Sequence, residues 1–366
     1  MANSMSRDIT IDFVRIIACL AVVLMHVISV FWYPIPVKLD TIINSTAEIN
    51  NYLCTNNISS ILGSRQWYIL SFCDAITRFS VPVFIMVSGA MVLKKKEISI
   101  KYGFNKSFYI FKIILIWGGI LTLLLFLINQ LMGERQSFLY YAQTLINGGG
   151  VFWFLYMLMP LYLSAIIYKA IVNEKNATLM FLFLWFIMTI ILSSLKSYCP
   201  GLGNNIKFEY LSQFSVYSGY FILGYTLYRI KSDKSEELGL SLKTIRNISY
   251  VIVILMLAIM TFGKPVTFFH NFSSPVCVIL STCMYWILIN MNVKINWLIT
   301  EYASSTLGIY AIHMLYIKLF TFFINVETFV WNDFLPLHIL SIWIAVVLCS
   351  YATVYVLKFL PVIKMI

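Results

Sequence analysis

The stretch Asp8-Ile9-Thr10-Ile11-Asp12-Phe13-Val14-Arg15-Ile16-Ile17-Ala18-Cys19-Leu20-Ala21-Val22-Val23-Leu24-Met25-His26-Val27 decides the fold class. The apolar run from Ile9 to Trp32 is long enough to cross a bilayer, yet it carries Asp12, Arg15 and His26. An ionisable residue inside a span costs roughly 2.5 to 3.5 kcal/mol on insertion scales and marks a functional position by default. The eleven helical steps from Arg15 to His26 advance about 1100°, only about 20° from whole turns, and rise roughly 16 Å. Both side chains therefore share one face and can grip two ends of an elongated ligand. A purely structural reading also exists: Asp12 pairs with Arg15 at i,i+3, and His26 bonds a neighbouring helix. It explains each residue but not their common face.

The rest of the chain has the same character. Hydrophobic residues make up 60% and charged residues 11% of 366, against about 25% charged in a soluble domain. The sequence predicts an all-α polytopic membrane bundle forming a single domain over 1–366, with the lipid bilayer as its solvent. Apolar runs of spanning length fall at 9–32, 67–93, 107–129, 151–171, 177–195, 211–230, 247–262, 275–292, 302–325 and 336–359, about ten transmembrane helices. Segments Met1 to Asp8 show no removable signal peptide pattern. With the N-terminus inside, sixteen Lys and Arg fall in inner segments, among them Lys94, Lys106, Lys169, Arg229 and Lys231. The outer segments hold six: Lys38, Arg65, Arg135, Lys196, Lys207 and Lys264. The net charge of +11 thus reads as the positive-inside pattern, with both termini cytoplasmic and no nucleic-acid partner. The seven cysteines show no CxxC pair and no histidine at zinc spacing, so no metal site is expected.

Three later segments carry chemistry. Thr77-Arg78-Phe79-Ser80-Val81-Pro82-Val83-Phe84-Ile85-Met86-Val87-Ser88-Gly89 places an arginine deep in the second span, before a helix-distorting proline and a Ser-Gly pair that permits close helix contact. Gly148-Gly149-Gly150-Val151-Phe152-Trp153 opens the fourth, where Trp153 suits an interfacial belt or a sugar platform. Leu307-Gly308-Ile309-Tyr310-Ala311-Ile312-His313 places a histidine near the middle of the ninth, as a packing residue or a catalyst.

These motifs, with Arg15 and His26 separated by ten residues, resemble the acyltransferase 3 family of integral membrane acyltransferases. One departure is Ile16, where the family usually has Gly after the arginine. The resemblance implies transfer of an acyl group, usually acetyl from acetyl-CoA, to a hydroxyl of a cell-surface glycan or lipid-linked sugar in a bacterial inner membrane. A neutral imidazole at His26 would be the general base. Arg15, nearer the basic face, would hold a CoA phosphate, and Arg78 would steady developing charge or the donor, with the two roles open to exchange. A covalent acetyl-His intermediate is a variant of this scheme. The alternative is a glycan or small-molecule transporter without acyl transfer, its intramembrane charges lining a path.

The charge distribution sets a first test. A single cysteine placed between Lys94 and Lys106 is expected to resist an impermeant maleimide in intact cells and to react after permeabilisation. Labelling in intact cells would reverse the orientation.

Overall fold

A computed structural model describes residues 8–32, 64–131, 133, 135–147, 152–192, 194–195, 215–233, 242–263, 266–294, 297–323 and 334–359. Every regular element among them is helical. In order they are α1 (Ile9–Trp32), α2 (Arg65–Thr77), α3 (Ser80–Leu93), α4 (Ile100–Leu131), α5 (Phe138–Asn147), α6 (Trp153–Leu163) and α7 (Ala165–Asn173). There follow α8 (Lys175–Leu184), which runs on as a π-helical stretch (Trp185–Ile191), α9 (Val216–Asp233) and α10 (Leu242–Phe262). The chain closes with α11 (Val266–His270), α12 (Pro275–Ile289), α13 (Trp297–Phe322) and α14 (Leu335–Leu357).

Among the described residues six segments are long and apolar enough to cross a membrane: Ile9–Phe31, Arg65–Leu93, Ile100–Leu131, Lys243–Phe262, Phe268–Ile289 and Leu335–Leu357. The pair α6 and α7 makes a seventh if its 58° bend is counted as one broken span. Pro160 inside α6 cannot donate to the turn before it, and the helix gives way four residues later at Ser164. Helices also occupy the places of the remaining expected spans, at α8 with its π stretch, α9 and α13. These do not meet the same standard of length and apolarity, so among the described residues the structure supports six or seven of the about ten expected spans. Most of the expected outer loop, Tyr33 to Gln66, lies outside the described residues, and α2 begins at Arg65.

The first helix is central, packing against α2, α3, α12, α13 and α14. Its buried Ile11, Val14, Ala18 and Val22 recur at helical spacing and face those neighbours. Large apolar side chains such as Leu123, Val251, Ile254 and Leu348 point away from the bundle, as a lipid-facing surface requires.

Close approach of α3 and α9 depends on two glycines. A Cβ on Gly89 would lie 1.8 Å from the Phe221 carbonyl oxygen, and one on Gly224 would lie 2.2 Å from that of Met86. The Ser88-Gly89 pair therefore does what its sequence suggests, letting backbone meet backbone. Pro82 sits early in α3 and has no N–H to bond the Arg78 carbonyl one turn back. That carbonyl instead lies 3.8 Å from the Cys277 sulfur, a thiol contact from α12.

One end of the bundle is closed by cations. The last carbonyls of a helix lack intrahelical partners and carry the negative end of its dipole. Lys169 Nζ donates to the Leu93 carbonyl of α3 at 2.8 Å, and an Arg229 terminal nitrogen donates to the Val172 carbonyl of α7 at 3.0 Å. Lys231 donates to the Ile289 carbonyl of α12. At the same end Asp8 caps α1 by accepting from Thr10 N at 3.1 Å, and its second oxygen accepts from the Tyr228 hydroxyl at 2.7 Å. Lys94 reaches that hydroxyl at 3.4 Å. Basic residues that the sequence sorts to one side of the membrane thus meet at one end of the fold.

Gly89→Ala is expected to lower stability by about 1–3 kcal/mol, the usual cost of overpacking, measured as thermal unfolding in detergent. Gly119→Ala is the contrast, since a Cβ there meets nothing within 4 Å and gains about 1 kcal/mol of helix propensity.

Candidate active site

Arg15 and His26 occupy one face of α1, as their spacing requires, and that face packs on α13. Arg15 donates to Thr306 Oγ1 at 3.4 Å and pairs with Asp12 at 3.6 Å, while its side chain keeps 37% exposure. The i,i+3 ion pair of the structural reading is therefore real. It does not consume the guanidinium, which also lines a cavity.

That cavity has a volume of about 300 Å³. Arg15 and Lys106 supply its cationic groups, Ser88, Tyr109, Tyr162, Ser304 and Thr306 its neutral polar groups, and Phe84, Phe154, Leu155, Leu158, Leu307 and Tyr310 much of its apolar wall. Phe84, Phe154 and Tyr310 form a chain of tilted rings, each pair with centroids 5.8 Å apart. Such a wall suits a ligand with an anionic head and an apolar or planar body.

Beyond Tyr310 lies His313, with ring centroids 5.9 Å apart, and beyond it His26, 5.1 Å from His313. His313 is completely buried and its Nδ1 donates to the Tyr310 carbonyl at 2.6 Å. His26 is half-buried and has no hydrogen-bond partner for its ring among the described residues. Neither histidine lines the cavity itself, but Tyr310 joins the two regions.

Arg78 is elsewhere. It stands at the break between α2 and α3, where its Nε and a terminal nitrogen donate to the two carboxylate oxygens of Asp74 at 2.7 and 2.9 Å. Asp74 is fully buried and also contacts His270 Nδ1, while His270 Nε2 lies 3.0 Å from the Met260 carbonyl. The guanidinium also sits 5.9 Å from the centre of the Phe272 ring. A bidentate, buried arginine–carboxylate pair is directional and strongly held. The structure thus brings Arg15 to the cavity, places His26 beside His313, and gives Arg78 to a separate ion cluster.

Trp153 is 38% exposed and its ring stacks near Phe272 at 6.3 Å and beside Tyr217 at 6.1 Å. Phe272 links it to the Arg78 cluster.

Asp74, His270 and Lys106 escape a motif-by-motif reading. Asp74 has a visible signal, since it lies one helical turn before a mid-membrane arginine, where a counter-charge pairs best. His270 falls outside the expected span 275–292, whereas the apolar segment begins at Phe268. Lys106 counts in sequence as one inner-loop charge among many, but α4 already begins at Ile100 and carries it to the cavity. Among the described residues no group of His, Cys, Asp or Glu is arranged to hold a metal ion.

A helix bundle whose long apolar helices enclose ionisable groups has the build of an integral membrane protein. Residues 8–355 match the profile of the acyltransferase 3 family, described as an acyltransferase domain, and the chain belongs to this family. No curated protein and no solved structure matches it. Membership makes the chain a membrane acyltransferase.

The Asp74 cluster yields a stability prediction. Asp74→Asn leaves the buried Arg78 uncompensated and is expected to cost about 3–5 kcal/mol. Adding Arg78→Met should recover much of the loss, so that a double-mutant cycle by thermal unfolding in detergent shows strong coupling.

Proposed function

We propose that this acyltransferase moves an acetyl group from acetyl-CoA to a hydroxyl of a cell-surface glycan or lipid-linked sugar. The observation that carries this reading is one cavity lined by two cations and an aromatic wall, whose Tyr310 ring adjoins a histidine pair outside it. Arg15 and Lys106 offer CoA phosphates a planar fork and a point charge. The ring-lined wall receives the rest of the donor and aims its thioester towards His26.

In the reaction the acceptor oxygen attacks the thioester carbonyl while His26 takes the hydroxyl proton. The C–S bond then breaks, and the proton passes from His26 to the departing CoA sulfur. Arg78, paired with Asp74, holds the break between α2 and α3 and so the helix against which α1 and His26 are packed. This divides the arginines: Arg15 binds donor, Arg78 holds helices in place. The acceptor is a hydroxyl of a surface glycan or lipid-linked sugar, and the setting is a bacterial inner membrane with both termini cytoplasmic.

The test uses full-length protein in proteoliposomes, with acetyl-CoA binding by calorimetry and acetylation of a membrane glycan fraction by mass spectrometry. Arg15→Lys should weaken acetyl-CoA binding about tenfold, the equivalent of about 1.4 kcal/mol, because a point charge replaces the fork. His26→Gln should bind acetyl-CoA normally and lose transfer by about 10²- to 10⁴-fold, since glutamine cannot take the proton. Unchanged binding in the first variant and near-normal turnover in the second would overturn the assignment.

A further inference from the structure

His313 is the one buried group of the site with a nitrogen left over. Its Nδ1 faces the Tyr310 carbonyl at 2.6 Å, and a carbonyl only accepts, so Nδ1 carries the proton. Nε2 is then a lone-pair acceptor, fully buried and without a hydrogen-bond partner among the described residues. Buried polar atoms almost always find partners, so an orphan next to reacting groups asks for one.

His26 is at the right distance to be that partner. A ring nitrogen lies about 1.1 Å from its ring centre, so a linear N–H···N bond of about 2.9 Å separates two imidazole centres by about 5.1 Å. The two centroids are 5.1 Å apart, with the rings tilted by 42°. No hydrogen bond joins the two rings as they stand, so the proposed contact requires a turn of the His26 ring about its side-chain bonds.

The backbone holds this register firmly. Cys19 Sγ donates to the Thr306 carbonyl at 3.5 Å. Cys19 and His26 are seven residues apart, and so are Thr306 and His313. Two parallel helices with matched seven-residue steps repeat their contact two turns on. Gly308 pins α13 from the other side, since a Cβ there would lie 2.8 Å from Val354 and 2.9 Å from Trp117.

We propose that His313 is a positioning residue: its Nε2 accepts a hydrogen bond from one His26 nitrogen, fixing the tautomer and orientation that leave the other nitrogen free as the base. The logic is that of a carboxylate behind a catalytic histidine, with a second imidazole in its place. When His26 takes the acceptor proton it becomes a cation, and the N–H···N bond strengthens as it becomes charge-assisted. The proposal rests on His26 acting as the base.

Two variants and two readouts test it. Glutamine at 313 carries a carbonyl oxygen that reaches the place of Nε2, whereas leucine offers no acceptor. The full-length chain, with four histidines, is labelled with ¹⁵N-histidine in nanodiscs, and the His26 signals are assigned by their loss in His26→Gln. Wild type and His313→Gln should show one His26 tautomer, and His313→Leu an average of both. In the acetyl-transfer assay His313→Leu should lose about tenfold to a hundredfold in kcat with KM for acetyl-CoA unchanged, and His313→Gln should recover most of it. A His26 tautomer indifferent to His313→Leu overturns the proposal, as does a His313→Gln variant as impaired as His313→Leu. The spectra read the pair even if wild type acetylates no glycan, so failure of the acetyl-transfer reading is recognised separately.

Discussion

Charge in hydrocarbon has to be answered from within the protein, and the Asp74 carboxylate is where this constraint is met most fully. It is completely enclosed, gripped in two places by Arg78 and touched by His270, which in turn reaches the Met260 carbonyl near the end of α10. Four helical segments are tied at one point: α2, the start of α3, α10 and α11. Ser71, one turn before Asp74, adds to the tie by donating to the Met260 and Thr261 carbonyls at 3.4 and 3.3 Å. Desolvating these charges is costly, and what such a cluster adds is a single allowed arrangement of the elements it joins. The break between α2 and α3 is held in that arrangement, and with it the helix against which α1 lies.

How far the site was legible in the sequence follows from the distances along the chain. Arg15 and His26 sit on one helix, so their common face is a matter of period, and the structure keeps it. The bringing together of His26 and His313 is a contact across 287 positions, since 313 − 26 = 287, and no period within either helix reveals it. Arg78 shows both cases at once. Its partner Asp74 lies one turn away and was open to inspection, but His270 arrives from a segment that reads as loop when spans are drawn by apolarity alone. The number of spans suffers from the same limit: α9 and α13 are helices in the expected places, yet Tyr, Ser, Thr, Lys and Glu dilute their apolar character because they face other helices and the cavity.

The cavity and the histidine pair divide labour in a way that suits group transfer. Arg15 and Lys106 line the cavity, and the rings of Phe84, Phe154 and Tyr310 run from its wall to the pair. In the proposed reaction, binding energy from a remote part of the donor orients its reactive end. The family match over 8–355 takes in every residue of the cavity and of the pair.

The cations that close the carbonyl ends of α3, α7 and α12 have a bearing on biogenesis. Lys169, Arg229 and Lys231 belong to the set that a positive-inside count uses to orient the chain during insertion. In the folded bundle the same side chains become helix terminators. Topogenic signal and tertiary fastening are therefore one set of atoms. Removing one of these charges weakens two things at once, the bias by which the sequence is expected to orient and the fastening of a helix end.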